Sequence, residues 1–248
     1  MKKIVILLMT LSLGLYAGQI NVAVAANVSY AVNDLIKEFN KTNPDTEVLV
    51  TLGSSGKFVA QIKNGAPYQM FLSADMKFPQ ILFDEKIAVA KPEMYAQGSL
   101  AMLSSKALDF KKGINVLNDA SVVKVAIANP KTAPYGTAAV EAIKNAKIYE
   151  SVENKFVYAE SISQVVSYAI TAADVGFVAK SSLYDEKMAQ YKENVNWISV
   201  DSSLYTPIDQ GVVILSNAKS NQEVKAFYDF ILSAKAKEIF KAYGYMTK

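Results

Sequence analysis

Apolar runs rich in β-branched residues alternate with stretches of helical period along almost the whole chain. "INVAVAA" (Ile20–Ala26) has the pattern of a strand buried on both faces. Val28, Ala31, Val32, Leu35, Ile36 and Phe39 follow at i, i+3, i+4, i+7, i+8 spacing, one apolar face of a helix, with Asn27 at its N-cap position. "NPD" (Asn43–Asp45) turns the chain, and "EVLVTL" (Glu47–Leu52) predicts a second strand. A helix after Ser55 carries Phe58, Val59 and Ile62 and stops at Asn64-Gly65-Ala66-Pro67. "MFLS" (Met70–Ser73) predicts a third strand, and a helix from about Met76 to Glu85 follows. Further strands are predicted at Ser99–Ser104, Val122–Asn129, Lys155–Ala159, Val175–Ala179, Trp197–Val200 and Gly211–Ser216. Helices are predicted from Pro134, over Ser163–Ala172 and over the tail from Asn221 to Tyr243. This βαβα alternation implies an α/β fold with largely parallel sheets. Ligands of such folds sit at the carboxyl ends of strands, beside helix N-termini. Three junctions fit that rule: Ala26-Asn27, Ser54-Ser55 and Pro134-Tyr135-Gly136.

Residues 1–17 have the form of a secretory signal peptide. Met1-Lys2-Lys3 is basic, Ile4–Leu15 is apolar but too short to span a bilayer, and Ala17 is a small residue for cleavage. A lipoprotein anchor would need a Cys, and the chain has none. The expectation is an exported, soluble protein. Taking Lys2 and Lys3 from the 26 basic residues leaves 24 against 23 acidic, a net charge near +1. That balance argues against a nucleic-acid partner, which needs a basic face. The absence of Cys and His removes disulfides, the common zinc and copper ligands, and every thiol or imidazole mechanism.

"VTLGSSGKFVAQI" (Val50–Ile62) admits three chemistries. A phosphate loop needs G-x-x-x-x-G-K-[ST], whereas only two residues separate Gly53 from Gly56 and Phe58 follows the Lys. Ser54 and Lys57 make an S-x-x-K pair, but its S-D-N and K-T-G companions have no counterpart here. The third reading is a strand-to-helix junction whose hydroxyls and amides hold a small anion, against plain capping by Ser54 with a solvated Lys57. One helix terminus alone does not decide between them.

Four segments in order, "VAVAANVSYAVNDLIKEFNK", "GSSGKFVAQIKNGAPYQMFLSADMKFPQIL", "IANPKTAPYGTAAVEAI" and "VKAFYDFILSAKAKEIFKAYGY", resemble the periplasmic molybdate-binding proteins of ABC importers, the ModA family. "QIKNGAPYQMFLSAD" and the C-terminal "AFYDF…IFKAYGY" carry the strongest likeness, and the resemblance spans essentially the whole mature chain. It implies a two-lobe, type II periplasmic-binding-protein fold with mixed or parallel sheets and a hinge between lobes. Lobe one would be 19–97 plus 207–248, and lobe two 98–206. It also implies a monomeric receptor, not an enzyme, that takes molybdate or tungstate in the cleft and passes it to an inner-membrane ABC permease. The metal would be bound only as its oxyanion, with no direct metal ligand and no cofactor.

Carried over by residue, the resemblance places Asn27 where the family has a ligand Ser. It makes Ser55 a ligand through hydroxyl and amide, with Ser54 beside it. It assigns anion contacts to the Tyr135 amide, next to Gly136, and to the Ile162 amide, next to Ser161. It places Ala179 in "VGFVAKSS" where the family often has a donating Tyr. The Tyr135 phenol or a water would have to supply that missing donor. A receptor for tungstate alone or for sulfate, and an exported Ser54/Lys57 hydrolase, are the competing expectations.

Overall fold

A computed structural model describes residues 18–247; the expected signal peptide lies outside the described residues. The chain first forms β1 (Gly18–Ala25), α1 (Val32–Phe39), β2 (Thr46–Gly53), α2 (Ser55–Lys63), β3 (Met70–Leu72), α3 (Lys77–Asp84) and β4 (Glu93–Gly98). Then come β5 (Leu100–Leu103), β6 (Val125–Ala128), α4 (Pro134–Asn145), α5 (Tyr149–Val152), β7 (Phe156–Ala159), α6 (Ile162–Thr171), β8 (Val175–Ala179) and β9 (Trp197–Ser199). Finally β10 (Ile208–Ile214), α7 (Gln222–Leu232) and α8 (Ala234–Ala242) return.

The strands build two five-stranded sheets, β2-β1-β3-β10-β4 and β7-β6-β8-β5-β9, each the centre of one lobe. Both are mixed. β1 is parallel to β2 and β3, whereas β10 runs against β3 and β4. β6 is parallel to β7 and β8, whereas β5 runs against β8 and β9. The strands that run the other way, β5 and β10, are those that arrive from the opposite lobe. No crossover helix turns them round, so they enter reversed.

The apolar runs lack alternation because both faces of the sheet are covered. In β1, Ile20, Val22 and Val24 pack with Leu35, Phe39 and Phe227 on one side. Ala23 packs with Phe58, Phe71 and Leu82 on the other. The second sheet is buried in its own cluster, with Leu100, Ile127, Val165 and Phe177 at its centre.

The lobes are joined at Ser99, between β4 and β5, and by the segment between β9 and β10. The Leu100 N–H donates to Tyr205 Oη at 3.1 Å, tying the two crossings together.

Three expectations need correction. The first helix begins at Val32, after a 3-10 turn at Ala26–Tyr30, so Asn27 lies inside the turn and caps nothing. The tail is two helices, broken at Ser233, whose hydroxyl accepts the Ala236 N–H and starts α8. β4 has no counterpart among the expected strands, because Glu93, Gln97 and Gly98 interrupt its apolar pattern. Beyond α8, Met246 exchanges backbone hydrogen bonds with Gln97 at 2.7 and 2.9 Å, which seats the buried Tyr245 beside the first crossing.

Candidate functional site

Between the lobes lies a small cavity of about 10 Å³. Its walls include Ala26, Asn27, Ser54, Ser55, Ala74, Tyr135 and Ile162, and no charged side chain. Asn27 and Ser55 are fully buried, and Ser54, Tyr135 and Ile162 nearly so. The four principal candidates, Asn27, Ser55, Tyr135 and Ile162, are thus brought together, with Ser54 beside them. A larger open groove outside, lined by Leu52, Lys57, Gln61, Glu160 and Gln164 among others, is the mouth of the same cleft. Its charged side chains are well exposed, so it lacks the dry surroundings that make a hydrogen bond to an anion strong.

Three helices begin at the cavity: α2 from one lobe, α4 and α6 from the other. Ser55 and Ile162 are the first residues of α2 and α6, and Tyr135 is the second of α4. Their N–H groups belong to first turns, where a helix offers no internal acceptor, and helix dipoles add partial positive charge. Pro134 at the first position of α4 gives up only an N–H that would be orphaned there. The Ser55 hydroxyl oxygen accepts the Ala74 N–H at 3.0 Å, which leaves its hydrogen free to donate. Ser54 precedes α2 in extended conformation, yet its hydroxyl makes no capping bond and is buried without a partner among the described residues. Plain capping therefore does not describe Ser54.

The remaining candidates separate. Ser161 is a capping residue: its hydroxyl accepts the Gln164 N–H and lies 3.1 Å from Ser163 Oγ. The Gly136 N–H is taken by the Ala133 carbonyl at 2.9 Å, so it is not a free donor. Gly136 serves packing instead, because a Cβ there would collide with the Ala128 carbonyl. Ala179 is buried at the end of β8 but is not part of the cavity wall; its carbonyl accepts the Ser182 hydroxyl. The Tyr135 phenol does not fill in for the absent Tyr. It points away to the hinge, where it accepts from Gln210 Nε2 at 3.0 Å beside Gly98.

Asn27 also departs from expectation. Its Nδ2 donates to Gln210 Oε1 at 2.9 Å and to Tyr245 Oη at 3.0 Å, and Oδ1 is left without a partner among the described residues. Sequence reasoning missed this surrounding group of Gln210, Tyr245, Tyr95 and Ser181. The legible signal was Gln210, a fully buried amide inside the apolar run of β10. Burial raises the phenols of Tyr95 and Tyr135 well above their usual pKa and that of Tyr245 to about 12, so all three remain neutral donors.

The Ser54–Lys57 dyad is not assembled. Lys57 Nζ binds Glu160 Oε2 across the cleft at 2.9 Å, and Ser54 Oγ has no base in reach among the described residues. Among the described residues no group of three His, Cys, Asp or Glu could hold a metal ion.

A family model described as "Bacterial extracellular solute-binding protein" matches residues 20–246. The molybdate-binding protein ModA of Azotobacter vinelandii is 38% identical over 231 residues, covering 92% of this chain and 90% of the relative. The ModA protein of Rhodobacter capsulatus is 38% identical over 245 residues, covering 98% and 94%. The solved structure of the Azotobacter vinelandii periplasmic molybdate-binding protein matches with a TM-score of 0.84 at 30% identity, covering 92% of this chain and 99% of that one. The sulfate-binding protein SubI of Mycobacterium tuberculosis reaches a TM-score of 0.73 at 10% identity, which speaks to the fold alone. The chain belongs to the bacterial extracellular solute-binding proteins, within the ModA family.

Proposed function

We propose that this chain is a non-enzymatic periplasmic receptor that captures molybdate, and tungstate with it, between its lobes and delivers it to an inner-membrane ABC permease. Residues 1–17 direct export, and the mature chain acts as a monomer. The lobes, 19–97 plus 207–248 and 98–206, close on the anion by a hinge at the two crossings.

One observation carries the reading. A buried cavity without charged walls collects the first turns of three helices and the unpartnered Ser54 hydroxyl. Such a site suits a fully deprotonated tetrahedral dianion, whose oxygens only accept. The Ser55 hydroxyl and the amides of Ser55, Tyr135 and Ile162 are the donors. A protonated oxyanion such as hydrogen phosphate brings its own hydrogen and finds few acceptors, which disfavours it. Cavity size then separates molybdate and tungstate from the smaller sulfate.

The relatives named ModA support the choice of molybdate. The hydrolase reading has lost its base, since Lys57 is engaged by Glu160. Calorimetry of the mature protein with molybdate, tungstate, sulfate and phosphate tests the proposal. Heat with the first two only is expected. Sulfate bound as tightly as molybdate would make the chain a general oxyanion receptor.

A further inference from the structure

We propose that Gln210 sets which edge of the Asn27 carboxamide meets the bound anion, turning the Asn27 Nδ2 hydrogens into the cavity as donors. The inference rests on the oxyanion reading above. Asn27 and Gln210 are both fully buried and are joined Nδ2 to Oε1 at 2.9 Å. Gln210 Oε1 lies 2.7 Å from Tyr95 Oη, and Gln210 Nε2 lies 3.0 Å from Tyr135 Oη. Asn27 is a residue of the cavity wall, and in this orientation its unpartnered atom is the carbonyl oxygen Oδ1. An oxygen there repels an anion.

Counting hydrogens shows that this orientation is also poor for the protein. Tyr95 has one hydroxyl hydrogen for two close oxygens, Gln210 Oε1 at 2.7 Å and the Ser73 carbonyl at 3.0 Å. One of these oxygen–oxygen contacts therefore has no hydrogen in it, although Gln210 Oε1 still accepts from Asn27. Tyr135 accepts from Gln210, and its own hydroxyl hydrogen finds no acceptor among the described residues.

Half a turn of both carboxamides nearly preserves the heavy-atom distances and exchanges donors for acceptors. Gln210 Nε2 then donates to Asn27 Oδ1 and to Tyr95 Oη. Tyr95 gives its hydrogen to Ser73, and Tyr135 gives its hydrogen to Gln210 Oε1. Tyr245 moves its hydrogen from the Asn27 backbone carbonyl, 2.8 Å away, to Asn27 Oδ1. That contact loses its hydrogen, while the carbonyl keeps the Ser181 hydroxyl at 3.1 Å. Every hydrogen inside the network now has an acceptor. What remains over is the Nδ2 group of Asn27, facing the cavity, and the anion supplies its acceptor. Neither amide can turn alone, because a single turn sets oxygen against oxygen or N–H against N–H. The pair is therefore a two-position switch. Nitrogen inward suits a fully deprotonated oxyanion, and oxygen inward suits one that carries a hydrogen.

The test is a double-mutant cycle read by calorimetry with sodium molybdate, using wild type, Gln210→Glu, Asn27→Ser and the double variant. Gln210→Met repeats the cycle if the buried Glu prevents folding. The Gln210 change should weaken molybdate binding about tenfold or more when Asn27 is present. In the Asn27→Ser background the loss should be less than about threefold, because a hydroxyl rotates freely and needs no neighbour to set its donor. Equal losses in both backgrounds would make Gln210 merely structural and overturn the inference. Independently of any variant, the Asn27 side-chain amide proton resonances should shift on saturation with molybdate; unmoved resonances overturn it as well. A wild type giving no heat with molybdate or tungstate would instead overturn the oxyanion reading, and this inference with it.

Discussion

The backbone N–H of Gly56 donates to the carbonyl of Thr132 at 2.8 Å, joining the first turn of α2 in one lobe to the turn before α4 in the other. A Cβ at Gly56 would fall 2.9 Å from Thr132 Cα and 2.9 Å from Phe78 Cζ. The aromatic ring can swing aside, but the Thr132 backbone cannot. Gly56→Ala should therefore wedge the lobes apart, since packed interfaces yield little. Molybdate affinity should fall about tenfold or more, because the donors on α4 and α6 would stand too far from those on α2. The melting temperature of the unliganded variant should change little. Unaltered affinity would show that this close approach is not needed for capture.

Ser55 is the best-placed side-chain donor. Its oxygen already accepts the Ala74 N–H at 3.0 Å, which fixes the rotamer and commits its hydrogen to another partner. Ser55→Ala should weaken molybdate binding by about 1–3 kcal/mol, the cost of losing a buried donor to a charged group. The unliganded protein should also lose some stability, because the Ala74 N–H is then unserved. Calorimetry and thermal melting separate the two effects, and affinity equal to wild type would remove Ser55 from the site.

Much of this arrangement was readable in the sequence, for local reasons. Apolar runs such as Val175–Ala179 mark buried strands, and Pro134 and Ser161 mark helix starts. Helix starts are where such a fold offers free amides, so the junctions at Ser54-Ser55 and Pro134-Tyr135 were legible locally, whereas Ile162 was singled out only by the family resemblance. The rest depends on contacts far apart in the chain. Tyr245 reaches Asn27 only because Met246 pairs with Gln97, a link no periodicity encodes. Lys57 reads as a solvated charge on α2, and its partner Glu160 lies in the other lobe. Gly136 reads as part of an anion-binding turn, yet its N–H is consumed by Ala133 and its missing Cβ is what matters.

That last point can be checked by stability alone. Gly136 sits where α4 meets the end of β6, and any Cβ would strike the Ala128 carbonyl. A backbone carbonyl inside a sheet cannot swing away as a side chain can. Gly136→Ala should destabilise the protein by about 1–3 kcal/mol or more, as overpacking does in a tight core. Thermal melting without ligand should show it directly. A variant that melts like wild type but binds molybdate poorly would return Gly136 to the anion site.

The Lys57–Glu160 bridge crosses the cleft mouth, so it favours closure, but both partners are well exposed. The Lys57 hydrogen bond, followed by its charge, lowers the Glu160 pKa below its ordinary value of 4.5. A carboxylate with a depressed pKa contributes stability above its unperturbed pKa and loses it as pH falls through the depressed value. Wild type should therefore hold a small advantage in melting temperature over Glu160→Gln at neutral pH. That advantage should vanish only in acid below the usual carboxylate range, and it should shrink in high salt. Lys57→Ala should change molybdate affinity by less than about threefold, since exposed pairs contribute little. A much larger loss, insensitive to salt, would mean that the ammonium acts on the anion itself and that the cavity is not held by neutral donors alone.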